Sequence, residues 1–196
     1  GVGIFALGQT DVLADTLTLT VEKNTIGQGM ILDPVQVEFT QGESCADVVL
    51  RGMAEHNITP IYTWNSSYGF YLSGIKNCDS GTVNLPDCIK KVMTECKTWT
   101  GDSLELTANK YAPDLTEFSY CSASGWTYTV NDEFMGVGMG ACYPADGSVV
   151  RVMFALCGGT DITGKDPCSG NKQIFEAANK SKLITLMGKV NAEPGR

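Results

Sequence analysis

The sequence has a single histidine, His56, and no basic excess: 14 Lys and Arg stand against 22 Asp and Glu, for a net charge of −8. A nucleic-acid partner needs a basic patch that displaces condensed counterions, so nucleic acid has no footing here. No apolar run approaches the roughly 18 residues of a membrane span. The chain lacks a Gly-x-Ser-x-Gly elbow, a His-Glu-x-x-His zinc helix and a phosphate loop, which leaves the common hydrolase and nucleotide chemistries without their parts. No two cysteines are separated by only two residues, and zinc knuckles and thioredoxin-like pairs go with that spacing. Internal repeats, low-complexity tracts and long like-charge blocks are also absent.

What remains is an ordinary globular composition: 196 residues, 43% of them hydrophobic, with eight cysteines at 45, 78, 88, 96, 121, 142, 157 and 168. A chain of this length buries roughly 70% of its unfolded surface, so it can hold one domain with an insertion without a structural metal. An even cysteine count at this density favours a disulfide framework over buried thiols, and hence an extracellular or cell-surface location. Cys157 and Cys168 bracket one short turn-rich loop and Cys78 and Cys88 another, which favours a local bridge across each. Elimination then leaves Cys45 with Cys96 and Cys121 with Cys142. The opening "GVGIFALGQTDVLA" is apolar but lacks a basic n-region, and residues 1–15 read as an arm or linker.

Periodicity sets out the elements. "DTLTLTVE" alternates Leu17, Leu19 and Val21 with threonines, and "DPVQVEF" puts Val35, Val37 and Phe39 on one strand face. Ser44 followed by Asp47 forms a capping-box signature for a helix carrying Cys45, Val49 and Met53 at i, i+4 and i+8, with Asn57 to close it. That helix is expected to cross one sheet face, burying Val49 and Met53 against Val37, Phe39 and the inward residues of 150–156. "TPIYTWNSSYGFYLSGIKN" reads as an aromatic hairpin. "LPDCIKKVMTEC" places Ile89, Val92, Met93 and Cys96 on one stripe of a short helix, inside an insertion at about 79–119. Trp126, Tyr128 and Val130 alternate on one strand, and Val150, Val152, Phe154 and Leu156 on another. Residues 159–196 read as a cysteine-bounded loop and a terminal helix with Leu183, Leu186, Met187 and Val190 on its apolar side.

Catalytic groups are sparse. His56 sits at the predicted helix end, where a polar or positive side chain suits the terminal carbonyls. Gly136, Gly138 and Gly140 follow a strand but lead to Tyr143-Pro144 rather than into a helix, so they are no dinucleotide fingerprint. The acidic pairs Asp132-Glu133 and Asp161/Asp166 lack calcium-loop spacing and read as solvated turn carboxylates. Sequons at Asn57, Asn65 and Asn179 are available for glycosylation. Tyr62, Trp64, Tyr68, Phe70, Tyr71, Trp126 and Tyr128 cannot all face one core if their strands alternate. Some either build a binding rim or pack beneath the 97–119 segment.

Three segments, "VEKNTIGQGMILDPVQVEFTQGESCADVVLRGM", "SYGFYLSGIKN" and "SGWTYTVNDEFMGVGMGACYPADGSVVRVMF", resemble the transcobalamin-like C-terminal domain family of bacterial surface proteins and animal cobalamin carriers. The resemblance covers about residues 16–158. It implies an α+β, β-grasp-like fold with a mixed sheet crossed by one main helix. By motif it implies that Tyr68, Gly69, Phe70 and Tyr71 form an edge segment facing ligand, with Trp126, Tyr128, Gly136, Val137 and Gly138 beside it. The implied activity is non-catalytic binding of a small molecule, with cobalamin or a related corrinoid as the candidate ligand. The competing reading is a structural or adhesive module docked to neighbouring domains of a larger surface protein.

Overall fold

Strict alternation of leucine with threonine makes β1 (Asp15–Glu22) a strand with two different faces, and both are covered in this computed structural model, which describes residues 14–97 and 101–163. Leu17, Leu19 and Val21 enter the hydrophobic core, while Thr18, Thr20 and Glu22 lie on the opposite face, also buried. The first arm residues, Cys168, Asp166, the Asn179 sequon and the expected terminal helix fall outside the described residues.

β1 is flanked by β2 (Met30–Phe39), antiparallel, and by β7 (Val149–Ala155), parallel; β6 (Gly125–Val130) pairs antiparallel with β7. The mixed four-strand sheet therefore has the order β2-β1-β7-β6. A second, antiparallel sheet holds β3 (Pro60–Asn65), β4 (Gly69–Ile75) and the short β5 (Leu115–Thr116). Among the described residues the helices are α1 (Cys45–Glu55), α2 (Asp87–Glu95) and the single turn α3 (Thr160–Thr163). The class is α+β, as the sequence pattern indicates.

α1 begins where its capping box says. The Ser44 hydroxyl accepts from Asp47 N–H at 3.2 Å, and Asp47 accepts from Ser44 N–H at 2.8 Å. It ends at Glu55, and Asn57, two residues on, takes a φ of 58°, the left-handed conformation asparagine tolerates. Val49 and Met53 are fully buried with Val37, Phe39, Val150 and Val152. Gly52 sets the closeness of the helix: a Cβ there would lie 2.6 Å from Leu19 Cδ2 and 3.0 Å from Val37 Cγ2.

A second core collects the insertion. Ile89, Val92 and Met93 of α2 pack with Ile26, Leu104, Leu115, Phe154 and Leu156. One carboxylate organises the surrounding loops: Asp79 accepts from the Tyr120 hydroxyl at 2.7 Å, Gln28 Nε2 at 2.8 Å, Asn109 Nδ2 at 2.8 Å and Gly81 N–H at 2.9 Å. Desolvation opposes the Asp79 charge, but those donors outweigh it and hold the carboxyl below its ordinary pKa. The Tyr120 phenol is pushed up to about 12 by burial and by that carboxylate.

The disulfide pairing differs from the local expectation. Cys96, at the end of α2, is bonded to Cys157, just past β7, across 61 residues of sequence and a Cα separation of 6.8 Å. Cys157 is thereby not Cys168's partner, and Cys45 is not bridged to Cys96. Cys45, Cys78, Cys88, Cys121 and Cys142 are unbridged in this structure, so neither Cys78–Cys88 nor Cys121–Cys142 is formed. Loop length says which bridges are easily closed; the second core decides which sulfurs meet.

The buried face of β1 and β7 carries an ion pair. Arg151 donates from Nε to Glu22 Oε2 at 2.8 Å and from Nη2 to Glu22 Oε1 at 2.7 Å, while Nη1 reaches Asp132 Oδ1 at 3.2 Å. Thr20 and Asn24 donate to the same Glu22 carboxylate at 2.6 and 3.0 Å. Arg151→Met should cost about 3–5 kcal/mol in chemical denaturation, because Glu22 is left charged and buried. Adding Glu22→Gln to that variant should recover part of the loss. Val49→Asp, which puts an unpaired carboxylate under the sheet, should cost about 3 kcal/mol or more by the same measurement.

Candidate functional site

The β3–β4 hairpin is shaped by one asparagine and one glycine. Asn65 Oδ1 accepts from Ser67 N–H at 3.0 Å and from Tyr68 N–H at 2.7 Å, closing a side-chain-mimicked turn. Gly69 then takes a φ of +71°, which a β-carbon would strain. Tyr68 is thrown outward at the tip and is 89% exposed.

Register sorts the hairpin's aromatics onto faces. Trp64 pairs with Phe70 and Tyr62 with Leu72, so these four share one face. Phe70 and Leu72 are buried on the central strand, whereas Tyr62 and Trp64 on the outer strand are each 44% exposed. The three rings form one cluster: Tyr62–Phe70 centroids are 5.5 Å apart, and Trp64 meets Phe70 edge-on at 5.4 Å. Tyr71 points to the other face and donates a short hydrogen bond to Glu117. Burial and that carboxylate push its phenol up to about 12.

The glycine-rich link between β6 and β7 approaches this hairpin. Asn131 and Asp132 both have positive φ, and Val130 and Glu133 exchange backbone hydrogen bonds, which makes a tight turn at the start of the link. The chain then leaves the sheet through the exposed Gly136-Val137-Gly138 and returns as a 3-10 turn, Met139–Ala141, with Met139 buried. A Cβ on Gly140 would lie 3.0 Å from Phe70 Cβ and 3.2 Å from Trp64 Nε1. Glycine here is what lets loop and aromatic cluster touch. Beside it, Thr127, Tyr128, Phe134, Met135, Gly136, Val137 and Gly138 line an open groove of about 300 Å³.

Of the residues expected to form a ligand face, Phe70, Tyr128 and the 136–138 run come together, whereas Tyr71 faces the other side of the hairpin and Tyr68 stands out at its tip. Tyr128 is nearly buried and donates from its hydroxyl to Val137 C=O, fixing the loop to β6. Burial and the neighbouring Cys142 push its phenol well above the ordinary tyrosine range. Trp126 is separate: it lies edge-on to Phe154 at 5.6 Å and donates to Leu115 C=O at 2.9 Å, bridging the two cores. The insertion thus covers Trp126, while Tyr62, Trp64, Tyr68 and Tyr71 stay accessible.

A second groove of about 730 Å³, lined by Glu105, Lys110, Tyr111 and Phe118 among others, opens on the insertion. Sequence reading missed it because that segment has no period; the only local signals were its aromatics. Phe118 and Tyr120 both hold positive φ there, 69° and 65°, an uncommon strain for aromatic residues. His56 is exposed just past the end of α1. Asp132 is committed to Arg151, and Asp161 accepts the Leu156 and Cys157 amides at 2.7 and 3.1 Å. Among the described residues no group of three or more His, Cys, Asp or Glu is placed to hold a metal, and no helix is long and apolar enough to cross a membrane.

No protein-family model matches the chain, and no curated protein matches its sequence.

The two aromatic classes should separate by mutation. Tyr68→Ala should change unfolding free energy by less than about 0.5 kcal/mol, as expected of an exposed side chain. Trp126→Ala should cost about 3 kcal/mol through lost core packing and an orphaned carbonyl. Thermal and denaturant melts of both variants check the assignment.

Proposed function

We propose that this chain is a non-catalytic, extracytoplasmic module that offers an aromatic wall to a ligand. The observation that carries this reading is the approach of the glycine-rich link, at Gly138 and Gly140, to the Phe70–Trp64 ring cluster, whose Tyr62 and Trp64 rings are half exposed. Aromatic groups held on a strand pair present large contact area at low entropic cost, and a glycine-lined rim allows close backbone approach. The order β2-β1-β7-β6, with the central pair parallel and α1 across one face, supports a β-grasp-like assignment and the resemblance to transcobalamin-like domains. The Cys96–Cys157 disulfide favours an oxidising, extracellular or cell-surface location.

A groove of about 300 Å³ is at the small end of ligand sites, too shallow to bury a corrinoid. A flat macrocycle would lie against this wall with its other side covered by a neighbouring domain. The second reading, a structural or adhesive module, draws on a different observation. Among the described residues β3 is an outer strand with nothing paired to its other edge, which could accept a partner strand.

Titration with cobalamin and with cobinamide, read by visible absorbance, tests the first reading; a glycan array run in parallel tests for sugar ligands. Saturable binding is expected, weakened about tenfold, or roughly 1.4 kcal/mol, by Tyr68→Ala without loss of fold. Silence with both corrinoids and on the array would transfer the assignment to the structural module.

A further inference from the structure

The glycine-rich rim is fastened to the main helix at one point, and that point carries two thiols. Cys45 is the first residue of α1, and its N–H, a first-turn donor with no intrahelical partner, donates to Cys142 C=O at 2.7 Å. Their Sγ atoms lie 3.2 Å apart, and both residues are buried in the core beneath the sheet. A disulfide bond is about 2.05 Å long, so roughly 1 Å of side-chain movement brings the pair to bonding distance. The backbone hydrogen bond already holds the two segments at that separation.

We propose that Cys45 and Cys142 form a second disulfide, which locks the 136–142 loop onto the N-terminus of α1. The two thiols are oxidised, one S–S bond forms between their Sγ atoms, and two electrons and two protons pass to an external disulfide of the glutathione or oxidoreductase class. That external S–S bond breaks into two thiols, through a mixed disulfide on one of the two cysteines. Burial, and then the neighbouring Cys142, raise the Cys45 thiol above its ordinary pKa, so in the folded chain little nucleophilic thiolate exists. The bond therefore forms while the chain is folding, before burial, and is shielded from reductants afterwards. Because it joins residues 97 apart in sequence, it also closes a long loop of the unfolded chain.

Its consequence falls on the loop. With the bridge made, both ends of the 136–141 run, exposed at Gly136–Gly138, are tied, at Tyr128 on β6 and at Cys45 on α1. The proposal concerns covalent structure and stands whether or not the rim binds a corrinoid.

The test is peptide mapping of the full chain exported to an oxidising compartment, alkylated under denaturing conditions without reduction. The expected result is a crosslinked peptide pair holding Cys45 and Cys142, lost on reduction, beside the Cys96–Cys157 pair. Recovery of Cys45 and Cys142 as alkylated peptides, or each joined to a different cysteine, overturns the proposal. A second measurement uses Cys45→Ala/Cys142→Ala. Hydrogen exchange at 136–141 should quicken by about tenfold relative to the bridged chain, a local opening that leaves β1 and β7 protected. Equal exchange in both proteins would overturn the locking role.

Discussion

The parallel pairing of β1 with β7 is the constraint on which the remaining architecture hangs. It joins Thr18–Glu22 to Val149–Met153, segments separated by most of the described chain, and every other element lies in the connection between them or on their flanks. Such a long-range pairing must be secured on both faces of the sheet. On one face α1 does so, with Gly52 allowing the helix close to Leu19 and Val37. On the other, the bidentate Arg151–Glu22 pair spans β1 and β7. A guanidinium and a carboxylate taken out of water are tolerable only when each is fully bonded, and Thr20, Asn24 and Asp132 complete the set. The pair is thus a register device more than a source of net stability: a one-residue slip would part the two charges and leave both buried.

The insertion is secured by different means. Its segments are short on regular structure and are gathered largely by polar hubs. Asp79 draws Gln28, Asn109 and Tyr120 to one carboxylate, and Asp161 does the same for the turn after β7. The Cys96–Cys157 bond then ties α2 to the end of β7 inside the second core. Because that link joins residues 61 apart in sequence, it also restricts the unfolded chain.

The candidate site stands on the first core, where the β3–β4 hairpin meets the link between β6 and β7. The hairpin supplies rings in fixed orientation, because Phe70 and Leu72 anchor the face that Tyr62 and Trp64 extend past the sheet edge. The link between β6 and β7 supplies a rim whose ends are tied and whose middle is solvent-exposed. Its length, far beyond what a hairpin turn needs, is accounted for by that route: a tight turn, an excursion past Phe70 and Trp64, and a return through Met139 and Cys142 to the start of α1.

Local chemistry was enough to read much of this from residues alone. The Ser44-Asp47 box, the Val49/Met53 stripe, the Ile89/Val92/Met93 stripe and the alternation in β1, β6 and β7 are patterns whose period is set by backbone geometry. The same alternation placed Trp126 and Tyr128 on one face but was silent on what lies opposite, so it could not distinguish Trp126, covered by Leu115 and Phe154, from a ligand-facing ring. Cysteine pairing failed for the same reason. Closure entropy depends on sequence separation and favours Cys157 with Cys168, whereas a bond needs two sulfurs in contact, and packing around Phe154 and α2 brought Cys96 to Cys157 instead. The burial of Arg151 and Glu22 was equally hidden, since two charges 129 residues apart become partners only once β1 and β7 lie side by side. Periodicity fixes which side of an element is apolar; only the folded chain decides which neighbour that side, and each polar group left among it, will meet.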